Sequence, residues 1–505
     1  MNEGKVYIAG AGPGDIGLIT LKTFEKLQIA DVILYDNLAN KDLLDFCKND
    51  AEKIFVGKEA GKHHVSQTQT IEILKTKAKE GKTVLRLKGG DPLIFGRGSE
   101  EASALRKENI NFEIIPGISA ASGASAYSGI PLTHRNLVTQ CIFITAHESP
   151  NKKESQIEWE KLANLKNTTI AIYMGAAMLP KITKKFIDLG RNPNEKIAIV
   201  QNATLPSQKT FVTTLSDVEK EIINENIQPP IITFITPTID LIDELKWYER
   251  KSLFGKRIVL TRALNQSRSL KEMLREEGAT VIQLSTIKII QSIPNVNLND
   301  IISKPYDWVI FTSENGVKFF FELLFSNGLD SRIFYNKRIA TIGSETAKSL
   351  YNFGIKADFI PTNYTSIALI NEFQKNNWIE GQRFLRIKGD FHFDYVAEKL
   401  MEYGGIVQNL EVYKTLQEEV RKEAIDELRN KSADAFIFTS SSTVMNFFSM
   451  QGETNAANFL SKSLALAIGP VTASKLKEKG VKNIAIADNH TANGIVKKLK
   501  EIFTK

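Results

Sequence analysis

Gly10-Ala11-Gly12-Pro13-Gly14-Asp15 follows the apolar run Lys5-Val6-Tyr7-Ile8-Ala9, and Asp36 closes the next apolar run, Val32-Ile33-Leu34-Tyr35. Gly12 to Gly17 satisfies the GxGxxG spacing that brings backbone amides against a dinucleotide pyrophosphate, with an acid about twenty residues on. Pro13 interrupts that turn, and the Asp15 carboxylate would stand where a helix N-terminus attracts phosphate, so a nicotinamide or flavin dinucleotide is a poor fit. A longer constellation follows: Leu85-Arg86-Leu87-Lys88-Gly89-Gly90-Asp91-Pro92-Leu93-Ile94-Phe95-Gly96-Arg97-Gly98-Ser99-Glu100-Glu101, then Pro116-Gly117-Ile118-Ser119-Ala120-Ala121, then Gly129-Ile130-Pro131-Leu132-Thr133-His134-Arg135. Glycines let backbone groups approach a ligand closely, an acid such as Asp91 can pair with a ribose hydroxyl or an ammonium, and Arg97, Arg135 and Lys88 suit carboxylates. His63 and His64 have no companion ligands, so no metal site is expected.

The second half places its polar chemistry at strand ends. Asp307-Trp308-Val309-Ile310-Phe311-Thr312-Ser313 is echoed by Asp434-Ala435-Phe436-Ile437-Phe438-Thr439-Ser440, and Ile342-Gly343 with Thr346 by Ile468-Gly469-Pro470 with Thr472. Matched units of this kind imply two similar α/β lobes around a cleft. Hydroxyls and backbone amides there can hold carboxylates or simply cap helices, and both readings stay open.

The elements that must position these residues alternate apolar runs with amphipathic stretches, the βαβ rhythm of parallel α/β sheets. The chain has 505 residues, too many for one core, and a charged and aromatic stretch, Trp247-Tyr248-Glu249-Arg250-Lys251, precedes a fresh strand Ile258-Val259-Leu260. The main boundary is expected there: residues 1–250, with lobes about 1–115 and 116–250, and residues 251–505, again two-lobed.

Net charge is +7, yet residues 1–250 hold 31 basic against 31 acidic side chains and residues 251–505 hold 34 against 27. Bases scattered among acids argue for anionic small molecules rather than nucleic acid, and Lys181, Lys184 and Lys185 read as a solvated helix face. Cys47 and Cys141 are isolated, which suits a reducing cytoplasm, and no apolar run reaches the ~18 residues of a membrane span.

Together, the GAGPGD, LKGGDPLIFGRGSEE, PGISAA and GIPLTHR segments resemble the tetrapyrrole methyltransferases, and most of all uroporphyrinogen-III C-methyltransferase, over residues 4–249. The resemblance implies S-adenosylmethionine (SAM) as cofactor, no metal and a homodimer through this half. It implies cofactor contacts at Gly12, Pro13, Gly14, Gly89, Gly90, Asp91, Ile94, Ser119, Ala120, Met174 and Ala203. It also implies Asp36 as proton acceptor and Lys58 as proton donor, with Arg97 and Arg135 on substrate carboxylates. Asp36 as a plain loop-fixing residue stays open beside this. Asn202-Ala203-Thr204 stands where the family usually has Asn-Gly-Thr, and Ile235 brings bulk near an expected glycine, which bears on the adenine end of the pocket.

Residues 256–505 resemble uroporphyrinogen-III synthase through Val259-Leu260-Thr261-Arg262, Phe311-Thr312-Ser313-Glu314-Asn315-Gly316, Val412-Tyr413-Lys414-Thr415 and Phe438-Thr439-Ser440-Ser441. That resemblance implies closure of hydroxymethylbilane to uroporphyrinogen III, with water lost and ring D inverted. Tyr413 then protonates the leaving hydroxyl or merely packs. Thr312, Ser313, Thr346, Thr439, Ser440, Ser441 and Thr472 contact substrate, with Arg262 and Lys388 as further candidates. Two other readings compete: a ligand-binding C-terminal module that regulates a methyltransferase, and a nicotinamide-dependent oxidoreductase.

Overall fold

The computed structural model describes residues 4–48, 50–57, 65–147, 155–262, 264–284, 287–292, 298–390, 395–417 and 422–504. The chain divides into two compact units, Met1–Ile258 with Glu272–Val281 and Val496–Lys505, and Val259–Lys271 with Ile282–Ile495.

In the first unit β1 (Lys5–Gly10), β2 (Val32–Tyr35), β3 (Glu52–Phe55), β4 (Thr83–Lys88) and β5 (Asn111–Ile115) form a sheet in the order β3-β2-β4-β1-β5. All its pairings are parallel. The strands read as continuous apolar runs because both faces are covered: Tyr7, Ala9 and Leu85 pack on one side and Val6, Ile8 and Val84 on the other. A second sheet, in the order β6-β7-β10-β8-β9, contains β6 (Gln140–Thr145), β7 (Thr168–Tyr173), β8 (Lys196–Gln201), β9 (Lys209–Thr214) and β10 (Ile231–Ile235). Only β6 and β7 run parallel there.

The second half opens with β11 (Arg257–Leu260) and β12 (Thr280–Gln283). Then β13 (Ile287–Gln291), β14 (Trp308–Phe311), β15 (Arg338–Thr341), β16 (Arg383–Gly389) and β17 (Ile406–Gln417) form a sheet in the order β13-β17-β16-β14-β15. Finally β18 (Ala435–Phe438), β19 (Leu464–Ala467) and β20 (Ile484–Ile486) complete the order β12-β11-β18-β19-β20. The sequence echo is an architectural one. β14 pairs in parallel with β15 in one sheet and β18 with β19 in the other. Each is followed by a helix: Glu314–Ser326 capped by Ser313, and Ser441–Gln451 capped by Ser440. Both halves are α/β with two sheets apiece, as the alternation of apolar and amphipathic stretches implies.

Among the described residues no helix is long and apolar enough to cross a membrane. Lys181, Lys184 and Lys185 lie exposed on the helix Leu179–Asp188 while Ile182 and Phe186 are buried, as helical spacing predicts.

Candidate functional sites

The carboxyl ends of β1, β4 and β5 converge, which in parallel α/β sheets is where ligands bind. Gly12 and Gly90 exchange backbone hydrogen bonds, Gly12 N–H to Gly90 O at 3.3 Å and Gly90 N–H to Gly12 O at 2.7 Å, so the two turns are zipped together. Only glycine suits this crossing. A Cβ on Gly10 would lie 2.5 Å from the Gly90 oxygen, one on Gly117 would lie 2.3 Å from that atom, and Gly90 itself has φ +68°. Gly89 abuts Leu38, where a Cβ would come within 2.4 Å.

Asp91 is more committed than its sequence context suggests. Its carboxylate accepts from Leu93 N–H at 2.8 Å and from Gly117 N–H at 3.0 Å, tying the β4 turn to the β5 turn. Ser119 caps the helix Ala120–Ser128, and Tyr173 Oη accepts from Ala121 N–H at 3.0 Å. Ile94, Ala120, Ala203 and Tyr173 share one apolar cluster. Phe95 lies over Tyr173 at 4.9 Å, and Phe95, Arg97 and Met174 all carry positive φ. Met174, Leu93 and Ile118 leave apolar side chains exposed on these loops. Positive φ in bulky residues is costly and concentrates at functional sites.

The Asn-Ala-Thr departure has a conformational explanation. Asn202 and Thr204 take the left-handed region, at φ 50° and 69°, whereas Ala203 does not, so a methyl group is accepted there. Ile235 packs into the cluster around Ile170 and Phe186, while its neighbour Phe234 faces the cluster containing Ala203. The bulk expected near the pocket from Ile235 therefore points elsewhere.

Asp36 Oδ1 accepts from Leu38 N–H at 3.1 Å and Oδ2 accepts from Arg86 Nη2 at 3.0 Å. Arg86 Nε also donates to Glu101 Oε1 at 3.3 Å, and Lys88 Nζ donates to that same oxygen at 2.9 Å. Gln67 adds a donor at 3.1 Å. Glu101 is fully buried, and Arg86 and Lys88 nearly so. The four charges sum to zero, the condition under which ions survive burial. Burial, and then the neighbouring Arg86, push the Lys88 ammonium below its ordinary value, while Glu101 opposes them. The expectation that Lys88 meets substrate carboxylates is corrected, since its ammonium is buried on Glu101. Arg97 is exposed and forks onto Glu100, two bonds of 2.9 Å, and Arg135 is exposed. Lys58, like His63 and His64, lies outside the described residues.

Arg86 and Glu101 escaped the sequence reading, although a signal was there. Arg86 and Lys88 alternate on an otherwise apolar strand, which places two cations on one face of a buried sheet and demands a buried acid.

In the second unit Tyr413 is buried and its hydroxyl lies 3.1 Å from Ser313 Oγ, which also accepts Gly316 N–H at 3.1 Å. Burial pushes the Tyr413 hydroxyl above its ordinary value and the Ser313 contact opposes this, so the phenol stays protonated. Its ring stacks on Phe319, with centroids 5.9 Å apart, and fits against Gly389, where a Cβ would sit 2.5 Å from it. Thr312, Ser313, Thr346 and Tyr413 belong to the lobe of β14. Thr439, Ser440, Ser441 and Thr472 belong to the lobe of β18, where Ser441 Oγ donates to Val471 O at 3.5 Å. Burial lowers the Arg262 guanidinium and Glu314 opposes that shift. Among the described residues no cluster of three or more His, Cys, Asp or Glu could hold a metal ion.

The family of Tetrapyrrole (Corrin/Porphyrin) Methylases matches residues 5–219 and that of Uroporphyrinogen-III synthase HemD matches residues 268–497. A "Porphyrin biosynthesis protein HemD" from Ruminiclostridium josui is 34% identical over 512 residues, covering 99% of each chain. The chain belongs to this porphyrin-biosynthesis family. Its methylase half is also 44% identical over 244 residues to an "S-adenosyl-L-methionine-dependent uroporphyrinogen III methyltransferase" from Methanosarcina barkeri, covering 48% of this chain and 95% of that one. A "Siroheme synthase" from Actinobacillus pleuropneumoniae serotype 7 is 42% identical over 250 residues, 50% of each chain, so this chain spans half the length of that relative.

Proposed function

We propose that the chain performs two consecutive steps of tetrapyrrole synthesis: its synthase half closes hydroxymethylbilane to uroporphyrinogen III, and its methylase half methylates that product at C2 and C7 to precorrin-2. The observation that carries this is a relative matching end to end while both family matches fall on one chain. The methylase half comprises residues 1–250 and the synthase half 251–505. The reading includes a cytoplasmic homodimer formed through the methylase half, feeding sirohaem or cobalamin synthesis.

The glycine crossing of Gly10, Gly12, Gly90 and Gly117, with the exposed apolar residues beside it, suits a nucleoside and the pyrrole rings of a macrocycle. SAM, when bound, supplies an electrophilic methyl group on sulfonium. The protein must align a pyrrole carbon with that methyl, exclude water, and accept the proton that leaves after the C–C bond forms. Asp36 is the acceptor. Arg86 aims its carboxylate, and Asp91 holds the two turns that line the pocket.

In the synthase half, loss of the hydroxyl as water needs a proton. Tyr413, buried yet protonated, is the donor, and Ser313 orients its O–H. Hydroxyls at the ends of β14 and β18 receive substrate carboxylates on the two lobes. Purified protein given hydroxymethylbilane tests the reading. Uroporphyrinogen III should form without SAM, and with it a species heavier by two CH2 units, since each methyl gained displaces a proton. Formation of the type I isomer alone would remove the synthase assignment, and absence of the heavier species would remove the methylase one.

A further inference from the structure

Thr204 is a buried, β-branched residue at φ +69°, a conformation that such side chains rarely adopt. Its polar atoms show what holds it there. Thr204 N–H donates to Gln208 Oε1 at 2.8 Å, its carbonyl accepts from Tyr248 Oη at 3.1 Å, and its Oγ1 accepts from Asp15 N–H at 2.9 Å. The Oγ1 atom stands 2.9 Å from where a Cβ on Gly14 would be, and the Cγ2 methyl 3.1 Å from where one on Gly123 would be. Thr204 thus touches both the Pro13–Asp15 turn and the helix Ala120–Ser128.

Tyr248, and Glu249 which holds Gln208, come from the segment that follows the second sheet. Glu249 Oε1 accepts from Gln208 Nε2 at 3.0 Å and from Thr210 Oγ1 at 2.6 Å, Trp247 Nε1 donates to Ala126 O at 2.9 Å, and Tyr248 packs on Tyr127 at 4.6 Å. Tyr127 Oη closes the ring by donating to Asp15 Oδ2 at 2.7 Å. We propose that Thr204 is a positioning residue for the cofactor turn, held in its strained conformation by Tyr248 and Glu249, so that the residues closing the methylase half set its affinity for SAM. Strain of this kind persists only where its surroundings over-determine it, and here they do so through every polar atom of the residue. The inference rests on the proposed SAM site.

The test is titration of the full-length protein with S-adenosylhomocysteine, alongside methylase KM values for SAM and uroporphyrinogen III, the synthase rate and the melting temperature. Tyr248→Phe and Thr204→Val each remove one hydroxyl and should weaken S-adenosylhomocysteine binding about tenfold. The KM for uroporphyrinogen III, the methylase kcat and the synthase rate should stay within twofold. Thr204→Ser keeps the hydroxyl and should bind as wild type does. Thr204→Gly relieves the backbone and keeps the melting temperature, yet should bind weakly, which a merely structural role would not produce. Wild-type affinity in Thr204→Val and Thr204→Gly overturns the inference, whether or not Tyr248→Phe folds. Failure of the wild-type protein to bind S-adenosylhomocysteine overturns the SAM reading itself and this inference with it.

Discussion

Arg86 and Lys88, two residues apart on β4, both donate to a single oxygen of the fully buried Glu101, at 3.3 and 2.9 Å. Arg86 then extends to Asp36, so the proposed proton acceptor sits at the outer end of a buried chain of alternating charge. The inner end is structural and the outer end is chemical, and substitutions should separate the two.

Asp36→Asn keeps the shape and a donor-acceptor side chain but cannot take up the proton released after methyl transfer. Methylation should fall by about two to four orders of magnitude. Production of uroporphyrinogen III by the same sample should be unchanged, and a mass-resolved assay of both products reads the two activities at once. Loss of less than tenfold would leave Asp36 a loop-fixing residue, held by its bond from Leu38 N–H.

Glu101→Gln leaves two buried cations facing one carboxylate. Breaking a buried pair in this way costs about 3–5 kcal/mol, so the methylase half should melt well below its normal temperature in calorimetry. A variant that melts like wild type would mean that water reaches Arg86 and Lys88.

How much of this was legible in the chain differs by residue. The α/β rhythm and the twin strand-to-helix units at Trp308 and Ala435 follow from short-range pattern, and the structure has them. Gly90 and Gly117 are recognisable because a left-handed turn or a close crossing needs glycine whatever lies opposite. Asp91 was legible as important but not in kind, since its partner Gly117 lies 26 residues on. Thr204 stood in a motif noted only for the alanine before it, and nothing in the chain linked it to Tyr248. One is an ordinary polar residue and the other an aromatic in a segment read as a boundary, and only the folded chain brings the Tyr248 hydroxyl to the Thr204 carbonyl.

Tyr413→Phe tests the synthase proton donor. The variant loses one hydrogen bond, to Ser313, at a cost of about 1 kcal/mol, and should fold. Formation of uroporphyrinogen III should slow at least tenfold while SAM-dependent methylation of supplied uroporphyrinogen III continues. Gly389→Ala approaches the same ring from the other side. Its new methyl group would fall 2.5 Å from the Tyr413 ring, so the ring must move, and the same activity should drop at an overpacking cost of about 1–3 kcal/mol. Normal turnover in Tyr413→Phe would confine the residue to packing against Phe319.

On the acid side, stability should depend on Glu113. Bonds from Lys22 and then Lys5 hold its carboxyl at about 2, below the ordinary 4.5. A depressed folded-state value means that this stabilisation is complete above pH 4.5 and is lost as pH falls from there towards 2. Glu113 is partly exposed, so solvent screening reduces the contribution to about 1 kcal/mol. Glu113→Gln should therefore lower the methylase melting temperature at pH 7 and leave it nearly unchanged near pH 2. Equal effects at both pH values would show that the ion pairs with Lys5 and Lys22 do not carry the contribution.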